Sequence, residues 1–550
     1  MSDQTSELLA RARAWAADDP DSDTRAELER LIEAEDLDEL ADRFRGTLEF
    51  GTAGLRGALG AGPNRMNRVV VLRAAAGLAS YLRDHGATDG DRVVIGYDAR
   101  HNSDVFAHDT AEVMTGAGLR ALLLPRPLPT PVLAFAIRDL GCVAGVMVTA
   151  SHNPPQDNGY KVYLGDGSQI VPPADAEIAE RIAAVGKVAD VARGDGAEVL
   201  GEDVLGRYLV SVADLVDRGQ EAAFADLDVV YTPLHGVGGT TVRQVLELAG
   251  FRAPREPEAQ AQPDPDFPTV AFPNPEEPGA MDQALALAEE TGADIVVAND
   301  PDADRCAVAV PGPHGWQMLR GDEVGVLLAA HLLKKGRTGV YAQSIVSSSL
   351  LGKMAEAVGQ PHRETLTGFK WIGRIEGLAY GYEEALGYCV DPGHVKDKDG
   401  VSALLMVCEL AARAKTEGRT LRDLLDDIAR SFGLHATDQL SVRVTDLAQI
   451  PATMARLREQ PPTLLGGLAV ERVDDLNEGT AELPPTDGLR YLLADNARVI
   501  VRPSGTEPKI KCYLEVVVPV SQDGGVDAAR ISAAGRLDAI RADVQAAAGL

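Results

Sequence analysis

The 550-residue sequence has little of what marks secreted, zinc-binding or membrane proteins. Its five cysteines are scattered and form no CxxC pair, which argues against a disulfide framework and against a zinc knuckle. No apolar run approaches the length of a membrane span. The first twenty residues are mixed in charge and lack a signal-peptide core, so we expect a cytoplasmic protein.

Basic residues are also scarce. Lys and Arg number 53 against 83 Asp and Glu, which gives a formal net charge of -30. Because nucleic acids and anionic membranes are bound through basic patches, we expect neither as a partner. An anionic small molecule could still bind where a local cluster of Arg and Lys overrides the global charge.

The length of the chain predicts several domains, since one hydrophobic core does not grow to this size. Apolar positions three and four apart predict helices at the start. Three later blocks alternate strands with helices, which predicts related α/β domains with mostly parallel sheets. The final block predicts an α+β domain with a largely antiparallel sheet. The predicted ranges are 1–45 (helical extension), 46–190, 205–315, 316–435 and 436–550.

The stretch TASHNPPQDNGYK, residues 149–161, follows the apolar run CVAGVMV. This pattern predicts a buried strand that ends in a loop, with Ser151 at the carboxyl end of the strand, where open α/β sheets build their sites. Ser151 could be a capping residue, a hydrolase nucleophile or a phosphoryl carrier. The hydrolase hypothesis fits poorly, because the serine does not lie in a G-x-S-x-G turn.

The stretch ANDPDADR follows a second apolar run and places Asp300, Asp302 and Asp304 at alternate positions. In extended backbone these side chains would share one face, and three close carboxylates repel each other unless a cation binds them. Oxygen ligands favour a hard ion such as Mg²⁺. An EF-hand is excluded, since Arg305 and Pro311 stand where its glycine and glutamate belong. An acidic surface loop is the other interpretation.

The stretch RPSGTEPKIK, residues 502–511, combines a guanidinium, two hydroxyls and a glycine. Such a loop could hold a phosphate group, or it could be an ordinary turn between strands. A loop serine, a carboxylate metal site and a phosphate-binding loop together favour phosphoryl transfer through a phosphoserine.

Five motifs in order resemble the α-D-phosphohexomutase family, the phosphoglucomutases and phosphomannomutases. They are FGTAGLRG (50–57), TASHNPPQDNGYK (149–161), DPDADR (300–305), GYEEALGY (381–388) and RPSGTEP (502–508). The resemblance covers roughly residues 45–550. It implies four domains around a central cleft, three of them α/β, with a mobile fourth domain.

The resemblance also implies roles for individual residues. Ser151 would be the phosphoserine and, together with Asp300, Asp302 and Asp304, a Mg²⁺ ligand. Lys161 would be the general acid or base, Arg56 and Arg305 would steady the phosphoryl group, and His152 joins the catalytic candidates. The candidate contacts to the sugar and to its unreactive phosphate are Thr367, Gly368, Lys370, Glu383, Lys398, Arg502, Ser504, Gly505 and Thr506.

One departure concerns the sugar-binding motif. The family usually has a serine two residues after its glutamate, but here Glu383 is followed by Glu384 and Ala385. This loop resembles the phosphopentomutase-like branch and predicts weak discrimination among hexoses.

The implied reaction moves a phosphoryl group between the 1-position and the 6- or 5-position of a sugar phosphate through a sugar bisphosphate. Phosphoglucomutase or phosphopentomutase activity is the first expectation and phosphomannomutase activity the alternative. A Mg²⁺-dependent sugar phosphatase and a non-catalytic sugar-phosphate-binding protein are remoter ones. We expect sugar phosphates as the only partners of a monomer or weak homodimer.

Overall fold

The computed structural model describes residues 3–49, 54–444, 446, 448–480, 483–504, 509–521 and 525–549. These residues form two compact units. The first comprises residues 1–318 and 391–409, and the second comprises residues 319–390 and 410–550. Within the described ranges, no helix combines the length and the apolar character that crossing a membrane requires.

The first unit begins with the predicted helical segment, which forms three helices. Asp21 and Asp36 cap the second and third helices by accepting hydrogen bonds from the backbone amides of Asp23 and Glu39. Buried apolar residues of all three helices join the core of the sheet that follows. The helices are α1 (Asp3–Asp18), α2 (Ser22–Glu33) and α3 (Leu37–Phe44).

The first sheet is mixed and has six strands in the order β1-β5-β4-β2-β3-β6. β4 is completely buried, runs parallel to β2 and pairs antiparallel with β5, and β1 pairs antiparallel with β5 at the edge. The strands are β1 (Leu55–Ala58), β2 (Arg92–Tyr97), β3 (Arg120–Leu123), β4 (Ala144–Val148), β5 (Asp157–Leu164) and β6 (Glu198–Val199). The helices are α4 (Arg68–Asp84), α5 (Ser103–Gly116), α6 (Thr130–Asp139) and α7 (Ala174–Ala184).

The second sheet has four strands in the order β10-β9-β8-β7. β7 and β8 are parallel, and β9 and β10 are added antiparallel. The strands are β7 (Val229–Thr232), β8 (Ile295–Ala298), β9 (Ala307–Gly312) and β10 (Gly315–Met318). The helices are α8 (Asp203–Ala213), α9 (Glu221–Asp226), α10 (Gly238–Ala249) and α11 (Asp282–Thr291).

The second unit begins with a four-stranded sheet in the order β12-β11-β13-β14. The first three strands are parallel, and β14 folds back antiparallel on β13. The strands are β11 (Val340–Ser344), β12 (His362–Thr365), β13 (Leu378–Glu383) and β14 (Gly387–Cys389). The helices are α12 (Gly321–Lys334), α13 (Leu350–Ala357), α14 (Phe369–Ile372), α15 (Gly400–Thr416, in the first unit up to residue 409) and α16 (Leu421–Phe432).

The last sheet is antiparallel throughout its described strands, in the order β15-β20-β19-β18-β17-β16. The strands are β15 (Leu434–Arg443), β16 (Leu464–Leu465), β17 (Leu468–Asp475), β18 (Leu489–Leu493), β19 (Arg498–Pro503) and β20 (Lys509–Val518), with helices α17 (Gln449–Glu459) and α18 (Gly525–Ala548). The predicted fold class, mixed α/β sheets followed by an antiparallel C-terminal sheet, is confirmed.

Candidate active site

Ser151 lies three residues beyond β4, in the loop that leads to β5. Its backbone has a left-handed conformation with φ of +51°, which is uncommon for a residue other than glycine. The residue is 3% exposed. Its Oγ donates a hydrogen bond to Asp300 Oδ2 at 2.5 Å and lies 3.1 Å from His152 Nδ1. The fold therefore places the serine against the acidic loop that follows β8.

Asp300, Asp302 and Asp304, here called the triad, are buried, and one carboxylate oxygen of each lies within 4.8 Å of the others. The sequence argument for this convergence, an extended backbone, is wrong. Residues 301–303 form a turn, and Ala303 has a φ of +55°. The turn, rather than strand alternation, brings the three carboxylates together.

Two lysines neutralise part of this charge. Lys161, on β5, is 2% exposed and donates hydrogen bonds to Asp302 Oδ2 at 2.7 Å and to Asp304 Oδ2 at 2.9 Å. Lys398 Nζ lies 3.3 Å from Asp304 Oδ2. The sequence analysis grouped Lys398 with the sugar contacts, whereas the structure places it beside the triad.

The pKa values of the triad are pushed apart. Burial, together with the charges of Asp302 and Asp304, raises the pKa of Asp300 well above its usual range. Burial also acts on Asp304, but Lys161, Lys398 and Arg305 outweigh it and lower the Asp304 pKa. The pKa of Lys161 is raised, because its two carboxylate partners outweigh the effect of burial. Two ionised carboxylates therefore face a protonated lysine, while Asp300 favours its neutral form.

The three other catalytic candidates surround the serine. Arg56, on β1, donates to Asn153 Oδ1 at 3.0 Å. Arg305 Nε lies 3.9 Å from Asp300 Oδ2. Burial and the charges of Arg305 and Arg56 hold the pKa of His152 well below its usual range, so its imidazole is neutral at neutral pH. The serine thus has a neutral base and two guanidinium groups nearby.

The chemistry of the triad fits a hard cation. Asp302 Oδ1 and Asp304 Oδ1 are buried and accept no hydrogen bond, which is costly for a carboxylate oxygen. A divalent cation would use these oxygens and would allow all three carboxylates to ionise. The triad can therefore hold a metal ion.

The remaining candidates belong to the second unit. Glu383 ends β13, and its neighbour Glu384 accepts hydrogen bonds from Ser344 Oγ at 2.9 Å and Ser347 Oγ at 3.1 Å. Thr367 and Gly368 come just before α14, which contains Lys370. Arg502 is near the end of β19, and the Ser504 amide donates to Lys509 O at 2.8 Å. Gly505 and Thr506 lie outside the described residues.

The chain matches all four domain models of one family. These are phosphoglucomutase/phosphomannomutase α/β/α domain I (residues 47–189), domain II (207–313), domain III (320–432) and the C-terminal domain (440–530). The chain belongs to the phosphoglucomutase/phosphomannomutase family. It is accordingly a phosphosugar mutase, an intramolecular phosphotransferase.

Individual relatives carry different sugar names. The chain is 49% identical to "Probable phosphomannomutase" of Haemophilus influenzae, with 82% of this chain and 93% of the relative covered. It is 37% identical to "Probable phosphoribomutase" of Schizosaccharomyces pombe, with 91% and 92% covered. A solved Thermus thermophilus structure assigned as a phosphomannomutase superposes with a TM-score of 0.72 at 26% identity, covering 91% of this chain and 99% of that one.

The sequence analysis missed one residue of this mutase site. Thr130 Oγ1 donates to Asp302 Oδ2 at 2.7 Å, and its backbone amide donates to Asp302 O at 2.9 Å. Both bonds fix the turn that holds the triad. The signal in the sequence was weak, since LPTP, residues 128–131, looks like an ordinary helix start.

Proposed function

We propose that Ser151 carries the phosphoryl group of this mutase. The observation behind the proposal is the 2.5 Å hydrogen bond from Ser151 Oγ to Asp300, within a cluster that also holds Lys161. A hydrolase triad would need the carboxylate to orient the histidine. Here Asp300 accepts from the serine itself, while His152 Nδ1 is 4.0 Å from Asp300 Oδ2. The geometry favours phosphoryl transfer.

We assign the metal as Mg²⁺, held by the triad and by a phosphate oxygen on Ser151. When bound, it would neutralise charge on the transferring group. Arg56 and Arg305 add positive charge beside the same serine. Lys161 hydrogen-bonds the triad in the absence of a metal and serves as the acid or base for the sugar hydroxyl.

The reaction has two transfers. In the first, the bond from phosphorus to Ser151 Oγ breaks, a bond to the free sugar hydroxyl forms, and the hydroxyl proton passes to Lys161 or His152. The sugar bisphosphate then reorients. In the second transfer its other phosphoryl group returns to Ser151, and the proton returns to the sugar oxygen that is released. The cycle leaves the serine phosphorylated as it began.

The second unit supplies the substrate contacts in this proposal. Glu383 binds sugar hydroxyls, with Thr367, Gly368 and Lys370 as further contacts, and Lys398 joins them from the first unit. Arg502, Ser504, Gly505 and Thr506 bind the phosphate that is not reacting. The domain boundaries, the cytoplasmic location and the monomeric or weakly dimeric state stay predictions.

The preferred sugar follows from the loop after Glu383. Ala385 cannot hydrogen-bond a ring hydroxyl, so we propose that the enzyme interconverts glucose 1- and 6-phosphate and accepts ribose or deoxyribose 1-phosphate comparably. Mannose phosphate is the second candidate, favoured by the 49% identical relative. A panel of glucose, mannose, glucosamine, ribose and deoxyribose 1-phosphates decides between them through kcat/KM.

The phosphoserine is tested with Ser151→Ala. Loss of a covalent carrier should reduce mutase turnover at least about a thousandfold, because the two-step path is removed. Intact-mass analysis should find one phosphate on the parent after incubation with sugar bisphosphate and none on the variant. Ser211→Ala is the control, since its hydroxyl binds only a backbone carbonyl of α8 among the described contacts.

Two outcomes would contradict this assignment. Full mutase activity of Ser151→Ala would exclude the phosphoserine. Steady release of inorganic phosphate by the parent, without isomerised product, would favour a phosphatase.

A further inference from the structure

The loop of Ser151 is held by a buried guanidinium that no role above uses. Arg100 is 4% exposed and follows β2 in the segment YDAR, residues 97–100. Its Nη2 donates to Ser151 O at 2.6 Å and to Asn153 O at 2.5 Å. Its Nη1 donates to Pro154 O at 2.8 Å and to Asp157 O at 3.1 Å. One side chain thus binds four carbonyls of the serine loop.

Arg100 is itself fixed from two sides. Asp98 Oδ1 accepts from the Arg100 backbone amide at 3.0 Å, and Asp98 Oδ2 lies 3.5 Å from Arg100 Nε. The guanidinium lies over the ring of Phe267, with its Cζ 4.8 Å from the ring centroid. A planar cation against an aromatic face is stabilised and rotationally restricted. The group that binds the loop is therefore held rigidly.

The loop needs this support, because Ser151 has a left-handed backbone. A non-glycine residue in that region costs on the order of 1 kcal/mol and persists only when its surroundings enforce it. The carbonyl of Ser151 is held by Arg100, and its amide donates to Thr149 Oγ1 at 2.8 Å. With both ends of the residue fixed, Oγ is directed at Asp300.

We propose that Arg100 is a positioning residue of the phosphoryl transfer, one that holds the Ser151 backbone so that Oγ faces the triad. It touches no reacting atom and acts through the four carbonyls. The proposal rests on the proposed role of Ser151 as phosphoryl carrier. Lysine cannot replace arginine here, because its ammonium is a compact donor that cannot span carbonyls from Ser151 to Asp157.

The test is Arg100→Lys, which keeps the charge and removes the planar fork. We expect kcat to fall about 10- to 100-fold, since small misplacement of a reacting group costs up to that factor. KM should stay within about threefold, because uniform substrate binding is untouched. Amide hydrogen exchange should accelerate in peptides covering residues 150–158 and stay unchanged in α18.

Arg83→Lys is the matched control. Arg83 also donates to backbone carbonyls, those of Ala87 and Ala117, but it is not bonded to the serine loop. This variant should keep the parent kcat and the parent exchange of residues 150–158. Phe267→Leu is the second test variant, should Arg100→Lys not fold. It keeps the guanidinium, removes its aromatic platform, and should lower kcat several-fold with a smaller local gain in exchange.

Three results would overturn the proposal. These are an unchanged kcat with unchanged loop exchange in Arg100→Lys, a raised KM with unchanged kcat, and faster exchange throughout the molecule with the same loss in Arg83→Lys. The exchange readout does not depend on chemistry at Ser151. If Ser151→Ala stays active while Arg100→Lys loosens the loop, the phosphoserine assignment fails and the loop-holding role of Arg100 stands.

Discussion

Each unit contains a buried carboxylate site with basic partners, and the two differ in how well their oxygens are satisfied. In the first unit, the triad leaves Asp302 Oδ1 and Asp304 Oδ1 buried without a hydrogen bond. In the second, Glu515 accepts from Ser348 Oγ at 2.6 Å, from the Ser349 amide at 2.9 Å and from Arg498 Nε at 2.5 Å. His435 Nδ1 lies 3.0 Å from the same carboxylate.

The difference separates a site prepared for a ligand from one that holds the fold together. Burial opposes ionisation of Glu515, but Arg498 and His435 outweigh it and keep the pKa of Glu515 well below its usual range. Its charge is fully compensated by protein groups. The triad has an excess of carboxylates, so its compensation is incomplete until a cation binds. Unsatisfied buried oxygens therefore indicate function better than burial or charge alone.

The largest effect is expected from Asp302→Asn. Loss of one anionic oxygen ligand should lower kcat at least about a thousandfold and raise the Mg²⁺ concentration needed for half-maximal activity. The thermal stability of the metal-free protein should change little, because one of three repelling carboxylates is removed. Enzyme assays across a Mg²⁺ series, with and without chelator, measure both effects.

Asp322→Asn is the control for that experiment. Asp322 is also a buried aspartate, and burial raises its pKa to about 6, but it lies in the second unit and outside the candidate site. Its replacement should leave the Mg²⁺ dependence unchanged. Unaltered turnover of the parent in excess chelator would contradict the metal assignment.

Glu515→Gln should show the opposite pattern. Removal of one partner of a buried ion pair leaves Arg498 uncompensated and typically costs about 3–5 kcal/mol of stability. Turnover at a permissive temperature should stay within a few-fold of the parent. Denaturant unfolding measures the loss, and adding Arg498→Met should restore part of it. A thousandfold loss of kcat without loss of stability would reverse the comparison.

Arg502→Ala should have a moderate effect on substrate binding. Loss of a charge-assisted hydrogen bond to phosphate costs about 1.5–3 kcal/mol, which corresponds to an increase in KM of about 10- to 100-fold. Steady-state kinetics with glucose 1-phosphate measure it. Arg490→Ala, which removes an arginine paired with Glu364 and Asp474 on the neighbouring strand, should leave KM unchanged. Equal changes in both variants would argue against a phosphate contact.

The smallest effect is expected from Asp399→Asn. Burial raises the pKa of Asp399 from 3.8 to about 6. A raised folded pKa contributes stability that is present below pH 4 and is lost as the pH rises through 6. The variant lacks this loss, so its stability relative to the parent should rise between pH 4 and pH 6.5 by about 1–2 kcal/mol. Unfolding midpoints at both pH values measure it, with the exposed Asp538→Asn variant as control. A constant difference across this range would contradict the raised pKa.

Much of this site could be predicted from the sequence. Apolar runs that end in TASHNPP and DPDADR identified two strand ends, and the buried strands β4 and β8 stand where those runs predicted them. Residue types then indicated a hydroxyl near carboxylates and lysines. These inferences succeed because burial, strand patterning and side-chain chemistry are local properties of the chain.

Contacts between distant segments could not be predicted in this way. Arg100 and Thr130 act on backbone atoms 51 and 172 residues away, and a carbonyl or amide carries no signature in the sequence. The left-handed conformations of Ser151 and Ala303 are likewise enforced by neighbours rather than favoured by the residues themselves.

The sequence by itself therefore determined the family, the fold class and the chemical types of the site residues, because those follow from composition, periodicity and ordered motifs. Only the tertiary structure decided that Lys398 lies beside the triad, that a turn makes the three carboxylates converge, and that two of their oxygens stay unsatisfied. Each of these depends on which segments meet in space, and long-range packing sets that through the burial of whole strands and helices.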